Sequence, residues 1–414
     1  MELPRHERSA IEESLTAFPV VLLTGARPVG KTTLARRIAA GVWRARYRTL
    51  DDPVVREAVR ADPDGFLAAE GVPLVLDEVQ AAPDLLRAIK LRVDRTRAPG
   101  QYLLTGSANL LALRRVTESL AGGVAVHELG PLSWSEVEGQ AAPRWTFDTL
   151  FRLKSARGLA DVLGPTKDIT DLRQRVLAGG YPTPALTPTR GVRARWFESY
   201  VRTYVERDIP DIAGIEYLGV FERLLRLLML RTGNLLNVSD LARALGVPVT
   251  TANRYVDLLA ATYQVMFLPA WAGNAEKRLV KAPKVYGGDS GLAASLSGAA
   301  TWEDVERDGR AGALFETWVF GELNRRAAVG ETQVTLSFWR THAGREVDFV
   351  VERGTRAIGI EAKSGARVDR ADFNGLEALA ASRPLNLGLV LYGGMSVVPF
   401  GEDRIAVPAS AFFL

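Results

Sequence analysis

The chain has 414 residues, a length that favours two or three domains over a single hydrophobic core. Apolar residues make up 47% and charged residues 24%, which is typical of a globular protein and excludes a disordered or fibrous one. The lack of cysteine excludes disulfides, thiolate metal sites and thiol nucleophiles, and the net charge of +4 permits a nucleic-acid partner without requiring one.

The N-terminal segment, MELPRHERSAIEES, carries charges where a signal peptide needs a continuous apolar stretch. No later apolar run approaches the roughly 20 residues of a membrane span. We therefore expect a cytoplasmic protein with no membrane partner.

The first predicted strand, VVLLT at 20–24, leads into a phosphate-binding motif. GARPVGKT at 25–32 fits G-x-x-x-x-G-K-[ST], and the following KTTLARRIAA has helical spacing, the context in which this motif binds nucleotides. Glycines let backbone amides face phosphates, Lys31 reaches the β and γ phosphates, and Thr32 ligates Mg²⁺. A glycine turn that happens to precede a lysine is the alternative. The predicted nucleotide-binding residues are Gly25, Arg27, Pro28, Val29, Gly30, Lys31, Thr32, Thr33 and Ser107.

Two further apolar runs, at 72–79 and 101–109, alternate with helical stretches, as in a parallel α/β sheet. The first ends in LVLDEVQ, where Asp77 is predicted to organise Mg²⁺ and Glu78 to activate water. Thr105 and Ser107 lie at the end of the strand predicted from the second run, where a hydroxyl could sense the γ-phosphate, although a Ser-Gly turn explains them equally well. Residues 1–140 are thus predicted to form a doubly wound α/β domain that binds Mg-ATP and hydrolyses it, with Lys31 and Glu78 as catalytic residues.

Residues 141–215 predict a helical connector, because helix patterns there alternate with Gly and Pro. Three helical patterns within 216–275, with Gly246 in the turn between the last two, are followed by the apolar VMFLPA; this order predicts a helix-turn-helix with a wing-like strand. Asn and Arg read adenine and guanine edges, so the last helix could contact DNA, while a packing role without DNA is the alternative. The candidate DNA-binding residues are Thr250, Thr251, Asn253 and Arg254.

Residues 276–414 return to a mixed α/β pattern with a cluster of charged residues. Glu316 lies in a predicted helix, Asp348 begins a strand, and Glu361 and Lys363 share one face of the next strand because strand side chains repeat every second residue. The carboxylates could hold a divalent metal while Lys363 positions water, as in the PD-(D/E)xK nuclease core. The alternatives are ordinary ion-paired strands, or a nuclease fold that only binds.

Several motifs together resemble one family: GARPVGKTT, LVLDEVQ, LLTGSAN, ESLAGG with ELGPLSWSE, GGYP, YVERDI, TTANRYVDLL and KAPKVYGGDSGL. The family is that of bacterial and archaeal AAA-type ATP-binding proteins with a C-terminal domain of unknown function. The resemblance spans nearly the whole chain and implies a P-loop ATPase joined to a winged helix and a restriction-endonuclease-like tail. One departure is Gly123, where similar proteins usually have arginine. The absence of this arginine implies that hydrolysis is slow, or that its role is taken by Arg114, by Arg115 or by an arginine of a neighbouring subunit.

Two functional hypotheses follow. The first is an ATP-hydrolysing protein that associates with DNA through the winged helix and the nuclease-like tail. The second is an ATP-dependent regulatory switch that acts on a protein partner, or on further copies of the chain, without cleaving DNA. A DNA-binding regulator with a vestigial ATP site is disfavoured by Lys31, Asp77 and Glu78.

Overall fold

The computed structural model describes residues 3–106, 122–153, 155–210, 215, 217–271, 281–341 and 343–414. The chain forms two compact units. The N-terminal unit comprises Arg5–Pro131 together with Ala261–Tyr263, and the C-terminal unit comprises Leu132–Ala260, Gln264–Leu414 and the residues before Arg5. The predicted four-part division at 140, 215 and 275 stays a prediction.

The N-terminal unit is built on a five-stranded parallel sheet with the order β2-β3-β4-β1-β5. Every residue of β1, β3 and β4 is buried, because both faces of a parallel sheet are covered and its strands are apolar throughout. The predicted doubly wound α/β fold is confirmed. Its elements are α1 (Glu7–Ala17), β1 (Val20–Thr24), α2 (Lys31–Ala40), β2 (Arg46–Thr49), α3 (Pro53–Ala61), α4 (Pro63–Glu70), β3 (Leu74–Asp77), α5 (Pro83–Arg95), β4 (Tyr102–Thr105) and β5 (Val124–Glu128).

The order of these strands fixes the position of the candidate site. Strands β3, β4 and β1 are neighbours and run parallel, so their carboxyl ends meet at one edge of the sheet. Asp77, Thr105 and Thr24 are the last residues of these strands. Ligands of open α/β sheets bind beyond this edge.

The first half of the C-terminal unit is mainly helical. A three-stranded antiparallel sheet with the order β6-β8-β7 follows. Two helices lie between β6 and β7 along the chain. The elements are α6 (Trp134–Val137), α7 (Phe147–Arg152), α8 (Ile169–Ala178), α9 (Pro182–Leu186), α10 (Arg190–Thr203), α11 (Leu218–Leu230), β6 (Asn234–Leu235), α12 (Val238–Leu245), α13 (Val249–Ala261), β7 (Val265–Leu268) and β8 (Lys284–Gly287).

The second half of this unit contains a six-stranded mixed sheet with the order β13-β14-β12-β11-β10-β9. Strands β9, β10 and β11 are antiparallel, whereas β12 runs parallel to β11 and β14. The predicted mixed α/β architecture of the tail is confirmed. Its elements are α14 (Ser290–Leu296), α15 (Trp302–Arg307), α16 (Ala311–Ala328), β9 (Thr335–Arg340), β10 (Glu346–Arg353), β11 (Arg356–Lys363), α17 (Asn374–Ser382), β12 (Leu387–Tyr392), β13 (Val398–Pro399), β14 (Arg404–Pro408) and α18 (Ala409–Phe413).

The described part of the chain includes no helix with the length and apolar character needed to cross a membrane.

Candidate functional site

The loop between β1 and α2 depends on two glycines. Gly25 has a φ of 141°, and a Cβ atom there would lie 2.3 Å from the carbonyl oxygen of Leu129. Gly30 has a φ of 96° and caps the N-terminus of α2 in the left-handed region. Both conformations suit glycine and exclude most side chains. The loop therefore delivers backbone amides and a helix N-terminus to one point, which is the arrangement that binds phosphate.

Lys31, the first residue of α2, is buried in this loop. Its Nζ donates hydrogen bonds to the carbonyl oxygens of Gly25 at 2.8 Å and Ala26 at 3.0 Å. An ammonium group held among loop carbonyls is close to where phosphate oxygens would bind. Val29 is buried, whereas the side chains of Arg27, Pro28 and Thr33 are exposed.

Arg5 supports the loop from the N-terminal side and was not singled out from the sequence. Its buried guanidinium donates from Nη1 to the carbonyl oxygen of Val29 at 2.6 Å and from Nη2 to that of Gly130 at 2.6 Å. Nothing in MELPRHERS distinguishes this arginine from its charged neighbours. Arg5 stabilises the loop through its hydrogen bond to Val29, which lies 24 residues further along the chain.

Asp77 gathers three hydroxyl groups at the edge of the sheet. Thr32 Oγ1 donates to Asp77 Oδ2 at 2.9 Å, Tyr47 OH donates to the same oxygen at 2.6 Å, and Thr105 donates to Oδ1. Burial and the hydrogen bond to Asp77 raise the pKa of Tyr47 to about 12. Thr32, Asp77 and Thr105 are predicted by sequence motifs, whereas Tyr47 lies on β2 in an RYRT run with no motif and was not predicted.

Glu78 adopts a left-handed conformation with a φ of 59° directly after β3. Its carboxylate accepts a hydrogen bond from Arg27 Nη2 at 3.0 Å and another from the Gln80 amide. Burial acts to raise the pKa of Glu78, but the charge of Arg27 and the bonds from Gln80 and Arg27 outweigh it, so the pKa lies below its ordinary value. Glu78 is therefore ionised at neutral pH and held by the loop arginine.

The structure thus brings together Lys31, Thr32, Asp77, Glu78 and Thr105. The Thr32 hydroxyl and the Asp77 carboxylate are the oxygen ligands that Mg²⁺ prefers, and they lie beside the loop that suits phosphate. Ser107, Arg114 and Arg115 lie outside the described residues. Gly123 precedes β5, where its carbonyl accepts a hydrogen bond from Val20 N at 3.3 Å.

The C-terminal unit contains a second cluster, around Glu316 of α16 and Asp348 of β10. Lys284 Nζ lies 2.8 Å from Glu316 Oε1 and 3.8 Å from Asp348 Oδ1, and it also contacts Glu346. Lys363 Nζ lies 3.4 Å from Glu361 Oε2 on β11. Asp348 Oδ2 also accepts a hydrogen bond from the backbone N–H of Ala362, which lies between Glu361 and Lys363 on β11. The four predicted residues of the tail therefore lie in one region.

Burial and the charge of Asp348 raise the pKa of Glu316 to about 7, although Lys284 and Tyr286 oppose the rise. The same two causes raise the pKa of Glu361 well above its ordinary value, against the effect of Lys363. These carboxylates therefore lie in a medium that penalises uncompensated negative charge.

A divalent metal does not fit this cluster as it is arranged. Lys284, which was not among the predicted site residues, lies among the carboxylates that were expected to hold the metal. Within the ranges that the structure describes, no group of three or more acidic or histidine side chains has the arrangement of a metal site.

The candidate DNA-binding residues lie in the first half of α13. Thr250, Asn253 and Arg254 are exposed, and Thr251 is half-buried. Val256 and Leu259, on the other face of the helix, are buried. The helix is thus amphipathic, with its polar face available to solvent.

Models of known families match three parts of the chain. An AAA domain matches residues 17–138, a domain of unknown function (DUF8612) matches 169–303, and another domain of unknown function (DUF4143) matches 311–412. The first match covers the strands, the loop and the carboxylates of the candidate site.

Two relatives match along almost the whole chain. They are the uncharacterized proteins Mb2031c of Mycobacterium bovis and Rv2008c of Mycobacterium tuberculosis, each 31% identical over 99% of this chain and 84% of the relative. Among solved structures, a RuvB variant of Thermotoga maritima is 19% identical and covers 64% of this chain and 88% of its own, with a TM-score of 0.29. At that TM-score the likeness supports no conclusion about this chain.

Proposed function

Since the chain belongs to the family of these two mycobacterial proteins and carries an AAA-type ATPase domain, we propose that it binds Mg-ATP at the β1–α2 loop and hydrolyses it. The observation that carries the proposal is that the hydroxyls of Thr32 and Thr105 both donate to the Asp77 carboxylate. This carboxylate lies beside the β1–α2 loop, whose two glycines adopt positive φ angles and shape a site for an anion.

In this proposal the loop amides and Lys31 bind the phosphates. Lys31 leaves the carbonyl oxygens of Gly25 and Ala26 and donates to phosphate oxygens. Thr32 and Asp77 would hold Mg²⁺, which neutralises charge on the phosphates as the bond breaks. Glu78, ionised at neutral pH, accepts a proton from the attacking water.

Glu78 Oε2 already accepts hydrogen bonds from Arg27 and Gln80, and these donors compete with water for that oxygen. In addition, Gly123 offers no charge where similar proteins are expected to have arginine. Both features support slow basal hydrolysis, below the roughly 1 to 1,000 per second common among enzymes.

Two substitutions test the proposal. Lys31→Ala should lose most nucleotide affinity or turnover, because the phosphates lose their cation. Glu78→Gln should keep nucleotide affinity but stop turnover, because an amide accepts no proton from water. Binding of a fluorescent ATP analogue and release of phosphate measure the two effects. Arg60→Ala, an exposed change on α3, is the control. Equal affinity and turnover for the Lys31→Ala variant and the unsubstituted chain would rule out the site.

We further propose that the C-terminal unit associates with DNA. The order α11, β6, α12, α13, β7, β8, with the three strands in one antiparallel sheet, supports a winged helix. The exposed Asn253 and Arg254 of α13 carry the groups that read base edges. DNA affinity that falls steeply with salt concentration would support this role, because phosphate contacts release counterions.

The tail also has the element order expected of a nuclease-like core, with α16, then β9–β11, then α17 and β12. One observation nevertheless favours the second hypothesis, a regulatory switch without cleavage: Lys284 lies among the carboxylates that cleavage would need. Supercoiled DNA incubated with Mg²⁺ or Mn²⁺ tests this. We expect no nicking, and nicking that Asp348→Ala and Lys363→Ala both abolish would instead establish a nuclease.

A further inference from the structure

Strand β8 supplies two donors to the charged cluster of the C-terminal unit. Its first residue, Lys284, is 5% exposed and donates to Glu316 Oε1 at 2.8 Å. Tyr286, two residues further and on the same face, donates to the same oxygen at 2.6 Å. The ammonium group also lies 5.6 Å from the ring centre of Phe338. Lys284 is therefore a built-in member of the cluster.

The position of this ammonium conflicts with a metal ion. Divalent cations bind carboxylate oxygens at about 2.0–2.6 Å. A cation bound to Glu316 and Asp348 would lie within a few ångströms of Lys284 Nζ, since that nitrogen already contacts both carboxylates. Like charges at such a distance in a buried site repel strongly. One cation can occupy the cluster, and the chain supplies it.

We propose that Lys284 is the resident cation of this cluster, so that the C-terminal unit binds no divalent metal between α16 and β10. The cluster is then a metal-free form of a nuclease-type arrangement. Its carboxylates are joined by a lysine from the small antiparallel sheet, and the ion pairs fix β8 against α16 and β10. The proposal does not depend on the ATP site.

The first experiment compares Lys284→Met with Lys281→Met in the full chain without nucleotide. Lys281 lies three residues earlier in the same segment and is exposed, so its loss should change nothing at the cluster. Removing Lys284 leaves the carboxylates without their cation, and a metal can then take its place. We expect Lys284→Met to gain one Mn²⁺ site by calorimetry, tighter by roughly tenfold or more than any site in Lys281→Met.

Thermal stability gives a second readout. Lys284→Met should melt at a lower temperature than the unsubstituted chain, and Mn²⁺ should raise that temperature because it binds only the folded form. Adding Asp348→Asn to Lys284→Met should remove both the Mn²⁺ site and the rise. A folded Lys284→Met variant that gains no Mn²⁺ would overturn the proposal. So would an Mn²⁺ site in the unsubstituted chain that Asp348→Asn removes.

Chemical labelling tests the unsubstituted chain directly, should Lys284→Met fail to fold. An amine-reactive reagent read by mass spectrometry should modify the exposed Lys281 and spare Lys284, with or without Mn²⁺. Labelling of Lys284 that Mn²⁺ induces would show that metal displaces the lysine, and the proposal would then be wrong. Loss of ATP binding in Lys31→Ala has no bearing on either result, so the two proposals can fail separately.

Discussion

Gly25 meets two constraints at once. Its φ of 141° lies where side chains are strained, and a Cβ atom would lie 2.3 Å from the Leu129 carbonyl oxygen, which belongs to the backbone and cannot move aside cheaply. Gly25→Ala should therefore distort the loop and weaken ATP binding by roughly tenfold or more, about 1.4 kcal/mol. Gly191→Ala, where the nearest atom is the end of the Arg195 side chain at 4.0 Å, is the control. Unchanged ATP affinity in Gly25→Ala, measured by fluorescence, would contradict this account.

Arg27 lowers the pKa of Glu78, together with Gln80 and Lys31. Because burial alone would raise the pKa of Glu78 and the guanidinium lowers it, Arg27→Met should raise that pKa. A carboxylate with a lowered pKa adds stability at neutral pH, and this stability is lost as pH falls through the lowered value. Part of the stability that ionised Glu78 adds at neutral pH should therefore be lost in Arg27→Met.

The measurement is an NMR titration of side-chain carboxyl carbons in the nucleotide-free chain, with Glu78→Gln used to assign the signal. Arg60→Met, exposed on α3, is the control. The same Glu78 pKa in Arg27→Met and in the unsubstituted chain would show that the Arg27–Glu78 contact does not form in solution.

The sequence identified the residues whose function follows from local context. Lys31 and Thr32 lie in a short motif between a strand and a helix, and Asp77 and Glu78 end a buried strand. Arg5, Tyr47 and Lys284 could not be found in the same way. Each acts through a partner 24 or more residues away. Arg5 and Tyr47 lie in runs with no recognisable motif, and the motif KAPKVYGGDSGL does not indicate which partner Lys284 contacts.

At the scale of elements, α13 has one buried face and one exposed face, and we propose that the exposed face contacts DNA. Leu259 is fully buried, so Leu259→Ala should lower stability by about 2–5 kcal/mol, as large-to-small core changes do. Arg254 is exposed, so Arg254→Ala should leave stability nearly unchanged and reduce both DNA affinity and its dependence on salt. Urea unfolding and DNA binding at several salt concentrations measure the two effects.

Arg223→Ala, an exposed change on α11, serves as the control for lost positive charge. Equal losses of DNA affinity in Arg254→Ala and Arg223→Ala would indicate a diffuse charge effect and count against a recognition helix.

Element patterns were predictable where each element is long and periodic. The strands and helices of the tail follow their apolar spacing, and TLSFWR forms β9 as expected. Which strands pair with one another is harder to predict from the sequence, because the partners are distant along the chain. Nothing in KAPKVYGG indicates that β8 lies between β6 and β7 and also supplies a lysine to the tail.

For the whole molecule, the C-terminal end of α13 lies in the N-terminal unit. Ala261, the last residue of α13, and the two residues after it belong to the N-terminal unit, although the residues on either side belong to the C-terminal unit. Tyr263 OH donates to Thr24 Oγ1 at 3.0 Å, and Thr24 directly precedes the first glycine of the nucleotide loop. We therefore predict that a change in this loop reaches Ala261, at the end of α13, through the Tyr263–Thr24 hydrogen bond.

We accordingly expect ATP to change DNA affinity. In Glu78→Gln, which should keep ATP bound, saturating Mg-ATP should change the dissociation constant for duplex DNA by about fivefold or more, the usual lower range of coupling between sites. Lys31→Ala should show little or no change at the same Mg-ATP concentration, because the phosphates lose their cation. Adding Tyr263→Phe to Glu78→Gln should reduce the effect while leaving ATP affinity intact, since only the hydrogen bond to Thr24 is lost. DNA affinity that is the same with and without Mg-ATP in Glu78→Gln would mean that the two sites act independently, and a coupling that survives Tyr263→Phe unchanged would place the route elsewhere.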